Sequence, residues 1–211
     1  MATKVKQQET VAIKPPNMEV IKLKIRGIAP LCINRFSEKA KKQMGDKQRG
    51  GSTSTGKKVR EKRDFTADYE GAKYVSDEGW CGIHAAAFRC AGISACRTVG
   101  YQMTRAKLAL FVEADGYDKD DGTPLVKITE GKPEQWIAPV RNETGVADLR
   151  SRPRWPEWGA ILTLRFDADI FTKSDVVNLM ARVGLQVGIC EGRPDGKKSA
   201  GMGYGLFEIV N

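Results

Sequence analysis

The sequence has little of what many enzymes and secreted domains depend on. It contains one histidine, His84, and five cysteines, an odd number with no Cys-x-x-Cys pair. This spacing argues against a disulfide framework and against a zinc finger, so free, buried thiols are expected. Paired carboxylates and His/Cys clusters are also missing, which leaves metal-dependent chemistry without support. No metal or other cofactor is predicted.

Long apolar runs are missing as well. No stretch approaches the roughly 20 apolar residues that a helix needs to cross a bilayer. The N-terminal segment MATKVKQQETVAIKPP lacks the apolar block of a secretory signal. We therefore expect a cytoplasmic protein with no membrane partner, in the bacterial host's cytoplasm if the chain is phage-encoded.

Positive charge is what the sequence has in excess. It holds 35 Lys and Arg against 26 Asp and Glu, a net charge of +9. A surplus of this size attracts phosphate-rich polymers. Most of it lies between Phe36 and Arg63, where ten basic and three acidic residues give a net charge of +7.

Two segments look poorly suited to packing. Residues 37–68 have almost no large apolar side chains, and their GGSTSTG centre resembles a flexible linker. We expect a mobile basic loop here, either a clamp on a polymer or a solvating insertion with no partner. Residues 1–17 are polar, end in Pro15-Pro16 and are predicted to form a flexible arm. Residues 18–211 are expected to form one domain.

Hydrophobic periodicity predicts the folded elements. MEVIKLKIRGI and AILTLRFDAD alternate apolar and polar residues, which is typical of strands with one buried face. A helix is predicted from about His84 to Thr98. A second helix is predicted with Thr172 as N-cap and Gly184 as C-cap. Further strands are expected in AKLALFVEA, EQWIAPV, LQVGIC and GLFEIV, whereas NETGVADLRSRPRWPEWG is expected to be irregular.

The order of these elements indicates an α+β fold. Strand, long excursion, helix and strand are followed by a second strand, helix and strand. This order predicts a ferredoxin-like (RRM-like) antiparallel sheet with two helices on one face, plus the long basic insertion.

Three motifs add a family resemblance: APLCINRF after the first strand, GIHAAAFRCAGI at the first helix, and GICEGRPDGKKSAGMGYGLFEIV at the end. Together they resemble the repeat-associated RNA-binding superfamily that supplies the backbone subunits of CRISPR effector complexes. They are also similar to short bacteriophage proteins with an SPL…R start and a VGI…RP…G.F.V ending. The resemblance covers residues 19–36, 80–97 and 158–210. Gly82-Ile83-His84 departs from the Gly-Ser-Ser-like turn of the superfamily.

The glycine-rich ending predicts a site for a nucleic-acid backbone. Glycines let main-chain N–H groups approach a phosphate, while Lys197 and Lys198 supply charge. Tyr204, Trp155 and Phe36 are candidate base-stacking residues, although each suits a packing role equally well. The simpler alternative is a plain connection between two strands. The cradle glycines are Gly192, Gly196, Gly201, Gly203 and Gly205.

These observations predict a sequence-independent binder of single-stranded RNA or DNA that assembles with itself, as a homo-oligomer or a filament along the strand. The residues predicted to contact the polymer are basic side chains and residues of the glycine-rich ending. They are Arg35, Lys39, Lys41, Lys42, Lys47, Arg49, Lys57, Lys58, Arg60, Lys62, Arg63, Arg89, Arg193, Lys197, Lys198, Gly201, Gly203 and Tyr204.

Two alternatives stay open. A phage assembly or virion protein would use the arm and the basic loop for subunit contacts instead. A metal-independent endoribonuclease would use His84 as general acid or base. Because a lone histidine near a helix start is more often structural, no catalytic residue is assigned.

Overall fold

The computed structural model describes residues 13–36, 38–49, 63–141, 147–196 and 200–210. Its α-helices are α1 (Glu38–Arg49), α2 (Phe65–Gly71), α3 (Ala85–Ala95), α4 (Met103–Ala109) and α5 (Lys173–Arg182). Its strands are β1 (Met18–Gly27), β2 (Leu31–Cys32), β3 (Tyr74–Val75), β4 (Cys81–His84), β5 (Leu110–Val112), β6 (Gly116–Tyr117), β7 (Pro124–Glu130), β8 (Glu134–Arg141), β9 (Ala147–Trp155), β10 (Gly159–Asp167) and β11 (Phe207–Val210). The prediction of a mixed α+β fold with an antiparallel sheet is confirmed.

The larger of the two described sheets is built around β1 and β10. Its strands run in the order β11-β1-β10-β7-β4-β3, with β5 also paired to β10 and β6 to β7, all antiparallel. Leu23 faces Leu162 across the central pair, and Ile25 faces Ala160. All four are buried, so the alternation in both strands creates one apolar face.

Two helices complete this core. The buried side chains of α3 and α5 belong to the same apolar cluster as the buried face of β1 and β10. The start of α5 is fixed locally by a capping box, in which Thr172 accepts a hydrogen bond from the Asp175 amide and Asp175 accepts one from the Thr172 amide. The core is therefore specified by apolar periodicity and local capping.

The smaller sheet has the order β2-β9-β8. Leu31 of β2 faces Trp155 of β9, and both side chains are buried. α2 packs against β9. Gln135 of β8 joins the two, because its side chain donates hydrogen bonds to the Phe65 carbonyl of α2 and to the Ser151 hydroxyl of β9. The hairpin β8–β9 thus extends from a buried root beside β2.

The predicted loop over residues 37–68 is wrong in part. Residues 38–49 form α1 and Phe65 begins α2, while residues 50–62 lie outside the described residues. α1 is rich in Lys, Glu, Gln and Ala, which have high helix propensity. Since it has no apolar stripe, periodicity gave no helical signal.

Four other predictions need correction. AKLALFVEA begins as α4 and becomes a strand only at Leu110. LQVGIC is not a strand, because Val183–Val187 form a π-helical turn after α5. Gly184 lies inside that turn and not at a C-cap. A side chain there would collide with the Phe207 carbonyl. The stretch NETGVADLRSRPRWPEWG was predicted to be irregular, but its residues 147–155 form β9.

Only part of the predicted arm lies within the described chain. Residues 13–17 are exposed and have no regular secondary structure, and residues 1–12 lie outside the described residues. None of the described helices has the length and apolar character needed to cross a membrane.

Candidate nucleic-acid interface

One face of the β8–β9 hairpin carries alternating arginines. Trp136 faces Arg152, and Ala138 faces Arg150, across the two strands. Residues directly opposite each other in antiparallel strands point to the same side. Arg154, two positions beyond Arg152, joins the same side, so Trp136, Arg150, Arg152 and Arg154 form a surface that we name the arginine face.

The C-terminal glycine-rich loop is described over residues 188–196 and 200–205, and it contacts this face near both of its ends. The Glu191 carboxylate forms an ion pair with Arg152, and the Glu191 amide donates to the Cys32 carbonyl at 3.0 Å. Near its other end, the Tyr204 ring meets the Trp136 ring edge-on, with centroids 5.8 Å apart. The hairpin and the glycine-rich loop therefore form one structure with an aromatic pair at its surface.

The three arginines of the arginine face differ in accessibility. Arg152 is 3% exposed, and burial lowers its pKa from the ordinary arginine value. Arg154 pairs with Glu134, whose hydrogen bond raises the pKa of Arg154, and its guanidinium lies 5.8 Å from the Trp136 centroid. Arg150 pairs with Asp148 at 3.5 Å. Since partly exposed pairs contribute only about 0–1 kcal/mol, a phosphate can compete for Arg150 and Arg154.

Several described amides of the glycine-rich loop already have backbone acceptors. Met202 and Tyr204 both donate to the Gly192 carbonyl, at 2.8 and 3.0 Å, and Gly205 donates to the Pro30 carbonyl at 2.8 Å. The amides of Gly192 and Gly203 make no hydrogen bond to another described residue. Fewer than the five predicted glycines can therefore offer an amide to a phosphate, because part of the loop's hydrogen-bonding capacity holds the loop together.

Gly201 and Gly203 require glycine for different reasons. Both have left-handed backbone, with φ of 66° and 75°. A Cβ on Gly201 would lie 2.2 Å from the Arg193 carbonyl oxygen, whereas a Cβ on Gly203 would meet nothing within 4 Å. Gly201 thus packs against its own loop, and Gly203 leaves open space that a ligand can enter.

Arg35 is not placed as predicted, because it is buried inside the protein. It is 4% exposed, and its guanidinium lies 2.9 Å from Asp118 and 3.2 Å from Asp120. Asp118 also accepts hydrogen bonds from the Val75 and Asp120 amides. This ion-pair network ties the segment after β2 to the turn after β6, so Arg35 has a structural role.

Two other predicted arginines are engaged by the protein itself. Arg63 pairs with Asp148 at 2.6 Å and with Asp68 at 3.4 Å. Arg89 donates to the Leu110 and Lys107 carbonyls and lies 4.9 Å from the Phe111 ring centroid. Arg63 stays exposed and faces the hairpin tip, but Arg89 joins α3 to β5 and is not at the arginine face.

Of the predicted base-stacking residues, Trp155 does not lie at the protein surface. It is 1% exposed and packs in the core, as Trp158 does. Tyr204 is half-buried at the edge of the arginine face, and Phe36 is 52% exposed just before α1. Arg193 is exposed on the glycine-rich loop and donates to the Cys190 carbonyl at 2.9 Å.

Several predicted residues lie on or near α1. Lys42 and Arg49 are exposed there, and Lys41 lies 2.8 Å from Asp121. Lys39 and Lys47 belong to the α1 backbone, but their side chains lie outside the described part. The remaining predicted cations are wholly outside the described residues: Lys57, Lys58, Arg60, Lys62, Lys197 and Lys198.

α1 and the glycine-rich loop are linked through the residues around β2. Cys32 of β2 holds the loop at Glu191, and Arg35 is ion-paired to the turn that also binds Lys41. Arg35 and Asp121 approach within 3.5 Å. The root of α1 and the start of the glycine-rich loop are therefore attached to one short segment.

His84 is the N-cap of α3. Its Nδ1 accepts a hydrogen bond from the Ala86 amide at 2.9 Å, and its ring lies edge-on to Tyr74. Burial lowers the pKa of His84 and raises that of Tyr74. This geometry gives the imidazole a capping role in its neutral form.

The five cysteines are free thiols, as expected, but Cys90 is exposed. Burial raises the pKa of Cys32 to about 11 and that of Cys190 to about 12. Both thiols are therefore protonated at neutral pH and poor nucleophiles. Within the described chain, no group of three His, Cys, Asp or Glu side chains could hold a metal ion.

The arginine face was not predicted, although its signal is in the sequence. In LRSRPRW, arginine recurs at every second position, which is the period of a strand. Two prolines nearby obscure that signal, because proline is rare inside sheets. Pro153 is tolerated in β9 because it acts there as an acceptor: its carbonyl accepts a hydrogen bond from the Ile33 amide at 3.1 Å.

No protein-family model matches the chain, and no curated protein matches it.

Proposed function

We propose that the protein binds single-stranded RNA or DNA along its backbone, without reading the sequence. The observation that carries the proposal is the Trp136–Tyr204 aromatic pair, which lies beside Arg154. Arg150, on the same hairpin as Trp136 and Arg154, is also partly exposed. Single-strand binders combine a positive groove that follows the phosphates with aromatic rings that stack on bases. The arginine face and the glycine-rich loop together offer both features.

The charges of the site favour exchange of protein carboxylates for phosphates. Arg150 pairs with Asp148 and Arg154 with Glu134 at partly exposed positions, and Arg193 donates to the Cys190 carbonyl. A polymer phosphate gains from both the charge and the forked geometry of arginine. Lys197 and Lys198 stand beside this site in the sequence and would add long-range attraction.

The fold we propose is ferredoxin-like, and the strand order supports it. β11, β1, β10 and β5 are adjacent in that order, and α3 lies between β1 and β5 in the chain while α5 lies between β10 and β11. This is the arrangement of two split β-α-β units. We extend the proposal to kinship with the repeat-associated RNA-binding superfamily, to a phage origin with action in the host cytoplasm, and to assembly of subunits along the strand.

Fluorescence anisotropy of labelled 20-nucleotide oligomers of dT, of mixed DNA and of RNA tests the proposal. Neutralising five or six phosphates gives a log–log salt slope of about −4. The double variant Arg154→Gln, Arg193→Gln should bind about tenfold more weakly and make the salt slope less steep by about 1.4, at about 0.7 for each lost phosphate contact. The control is Arg105→Gln with Lys107→Gln, which removes equal charge from exposed positions on α4. Equal affinities for the two double variants would overturn the assigned site.

The aromatic pair permits a second measurement. Tyr204→Leu removes a stacking surface whose loss costs about 1–3 kcal/mol per base, while Tyr204→Phe retains the ring. We expect weak binding for the leucine variant and near-normal binding for the phenylalanine variant, on all oligomers alike. A loss confined to one base sequence would contradict backbone recognition.

A further inference from the structure

An apolar pocket lies between α5 and the segment that follows α3. It has a volume of about 280 Å³ and is lined by Val99, Tyr101, Ile170, Phe171 and Leu179, with polar groups at its rim. A shallower depression continues along α5 past Leu185, which is 59% exposed. Together they form a groove, which we name the α5 groove.

The start of the described chain lies beside the α5 groove. The Asn17 carbonyl accepts a hydrogen bond from the Ala168 amide at 2.7 Å, and the Asn17 side chain approaches Asp169. Ile170, on the same turn, lines the groove. Ile13, four residues before Asn17, is 90% exposed, and twelve residues of the sequence precede it. An exposed apolar residue therefore lies four positions from Asn17, which is hydrogen-bonded beside the groove.

Proline makes a return of the segment around Ile13 onto its own groove unfavourable. Pro15 and Pro16 favour an extended polyproline conformation, and the residue before a proline also favours extended backbone. Ile13 is 90% exposed, and a return to its own groove would need a reversal within the proline pair. These features favour docking of the segment on another molecule.

The charges of the arm and the groove are complementary. Val11, Ala12 and Ile13 form the apolar centre of the segment, between Glu9 and Lys14. The groove rim carries Asp175 and Arg182, seven residues apart on the α5 side. Seven helical residues rise about 10 Å, and five extended residues span about 16 Å. Long side chains can cover that difference when Lys14 lies near Asp175 and Glu9 near Arg182.

We propose that the N-terminal segment around Val11 to Ile13 of one copy docks in the α5 groove of a second copy. Because each copy has both the arm and the groove, the contact is head-to-tail and generates chains of subunits. This contact involves neither the arginine face nor the glycine-rich loop. It is therefore independent of nucleic-acid binding and is tested in the absence of nucleic acid.

Complementation between two variants tests the contact by sedimentation velocity on the full chain. Ile13→Asp spoils the arm and leaves the groove, whereas Val99→Arg fills the groove mouth at a position that is 49% exposed and leaves the arm. Wild type should associate with increasing concentration. Each variant alone should associate at least about tenfold more weakly, which corresponds to about 1.4 kcal/mol. An equimolar mixture should form a dimer, because one intact arm meets one intact groove.

The control is Leu108→Asp, which removes an apolar side chain from α4 at a position that is 77% exposed. It should associate like wild type. A wild-type protein that stays monomeric at every concentration would overturn the proposal, and so would a mixture that associates no better than its components. An arm that folds back onto its own groove would give both of those results. Neither result depends on whether nucleic acid binds at the arginine face.

Discussion

The core around β1 and β10 and the layer formed by β8, β9 and the glycine-rich loop are held together in different ways. In the core, Leu23, Leu162 and Leu164 are buried among other apolar side chains, and charged residues point outward. In the hairpin layer, Arg152 is buried and depends on Glu191. The first region relies on non-directional burial, whereas the second relies on matched charges.

This difference has a consequence for function. Side chains packed in an apolar core cannot leave their neighbours to bind a ligand. Ion-paired side chains at a partly exposed surface can, because a phosphate can replace a carboxylate at modest cost. The proposed interface therefore lies on the layer that is held by polar contacts, and the core supplies a rigid base for it.

The largest effect is expected from a cavity in the core. Leu164→Ala should lower the free energy of unfolding by about 2–5 kcal/mol, since the side chain is fully buried in β10. Urea denaturation followed by circular dichroism measures this loss. Below the unfolding transition, affinity for oligonucleotide per folded molecule should be unchanged. A weakened affinity in the folded fraction would break the proposed separation of the two regions.

Breaking the buried ion pair of the hairpin layer should have the next largest effect. Arg152→Met leaves the Glu191 carboxylate without its partner, and Glu191→Gln leaves the buried guanidinium without compensation. Each should cost about 3 kcal/mol, the lower end for a buried pair because Glu191 is 24% exposed.

The double variant Arg152→Met, Glu191→Gln should recover most of that loss, because no charge stays buried. The complete double-mutant cycle, measured by denaturant unfolding, gives the coupling energy. Additive losses would show that the hairpin layer depends on packing, as the core does, and not on the pair.

The same division explains what could be predicted from the sequence. β1, β10 and α5 follow from apolar alternation and from the Thr172/Asp175 capping box, both of which are local signals. The burial of Arg35 could not be predicted, because its partner Asp118 is 83 residues away. Long-range ion pairs have no periodicity.

Two of the helical segments that were not predicted, α1 and the π-helical turn, were missed for opposite physical reasons. α1 is polar throughout its sequence, so only propensity and contacts such as Lys41–Asp121 favour it. The turn Val183–Val187 is rich in apolar and β-branched residues, yet it packs as a π-helical turn against β11. Tertiary contacts override strand propensity there.

The glycine-rich loop offers a matched pair of substitutions with a smaller effect. Gly203→Ala should cost about 1 kcal/mol from left-handed backbone alone. Gly201→Ala should cost more, about 2 kcal/mol, because its Cβ also meets the Arg193 carbonyl. Thermal unfolding measures both. If the loop binds a phosphate, Gly203→Ala should weaken oligonucleotide binding beyond its effect on stability. Equal losses of unfolding free energy in the two variants would refute the argument that Gly201 packs against its own loop.

Replacing the N-cap of α3 should cost about 1 kcal/mol. His84→Ala removes the acceptor for the Ala86 amide, and His84→Asn should restore most of the stability because asparagine is a good N-cap. Denaturant unfolding measures the three proteins. Incubation with labelled RNA separates capping from chemistry. A cleavage activity present in the wild type and lost in both variants would favour the endoribonuclease alternative.

The smallest effect is a weak acid sensitivity from the same residue. Burial lowers the pKa of His84 below its ordinary value of 6.5, so the unfolded chain binds a proton before the folded chain does. Stability should therefore be complete above about pH 7 and decrease as the pH falls through 6.5 toward the folded pKa. Protonation also removes the Nδ1 acceptor, which releases the α3 cap. As His84 is the sole histidine, the slope of unfolding free energy against pH near 6 should flatten in His84→Asn. An unchanged slope in that variant would place the acid sensitivity in the carboxylates of the ion-paired hairpin layer.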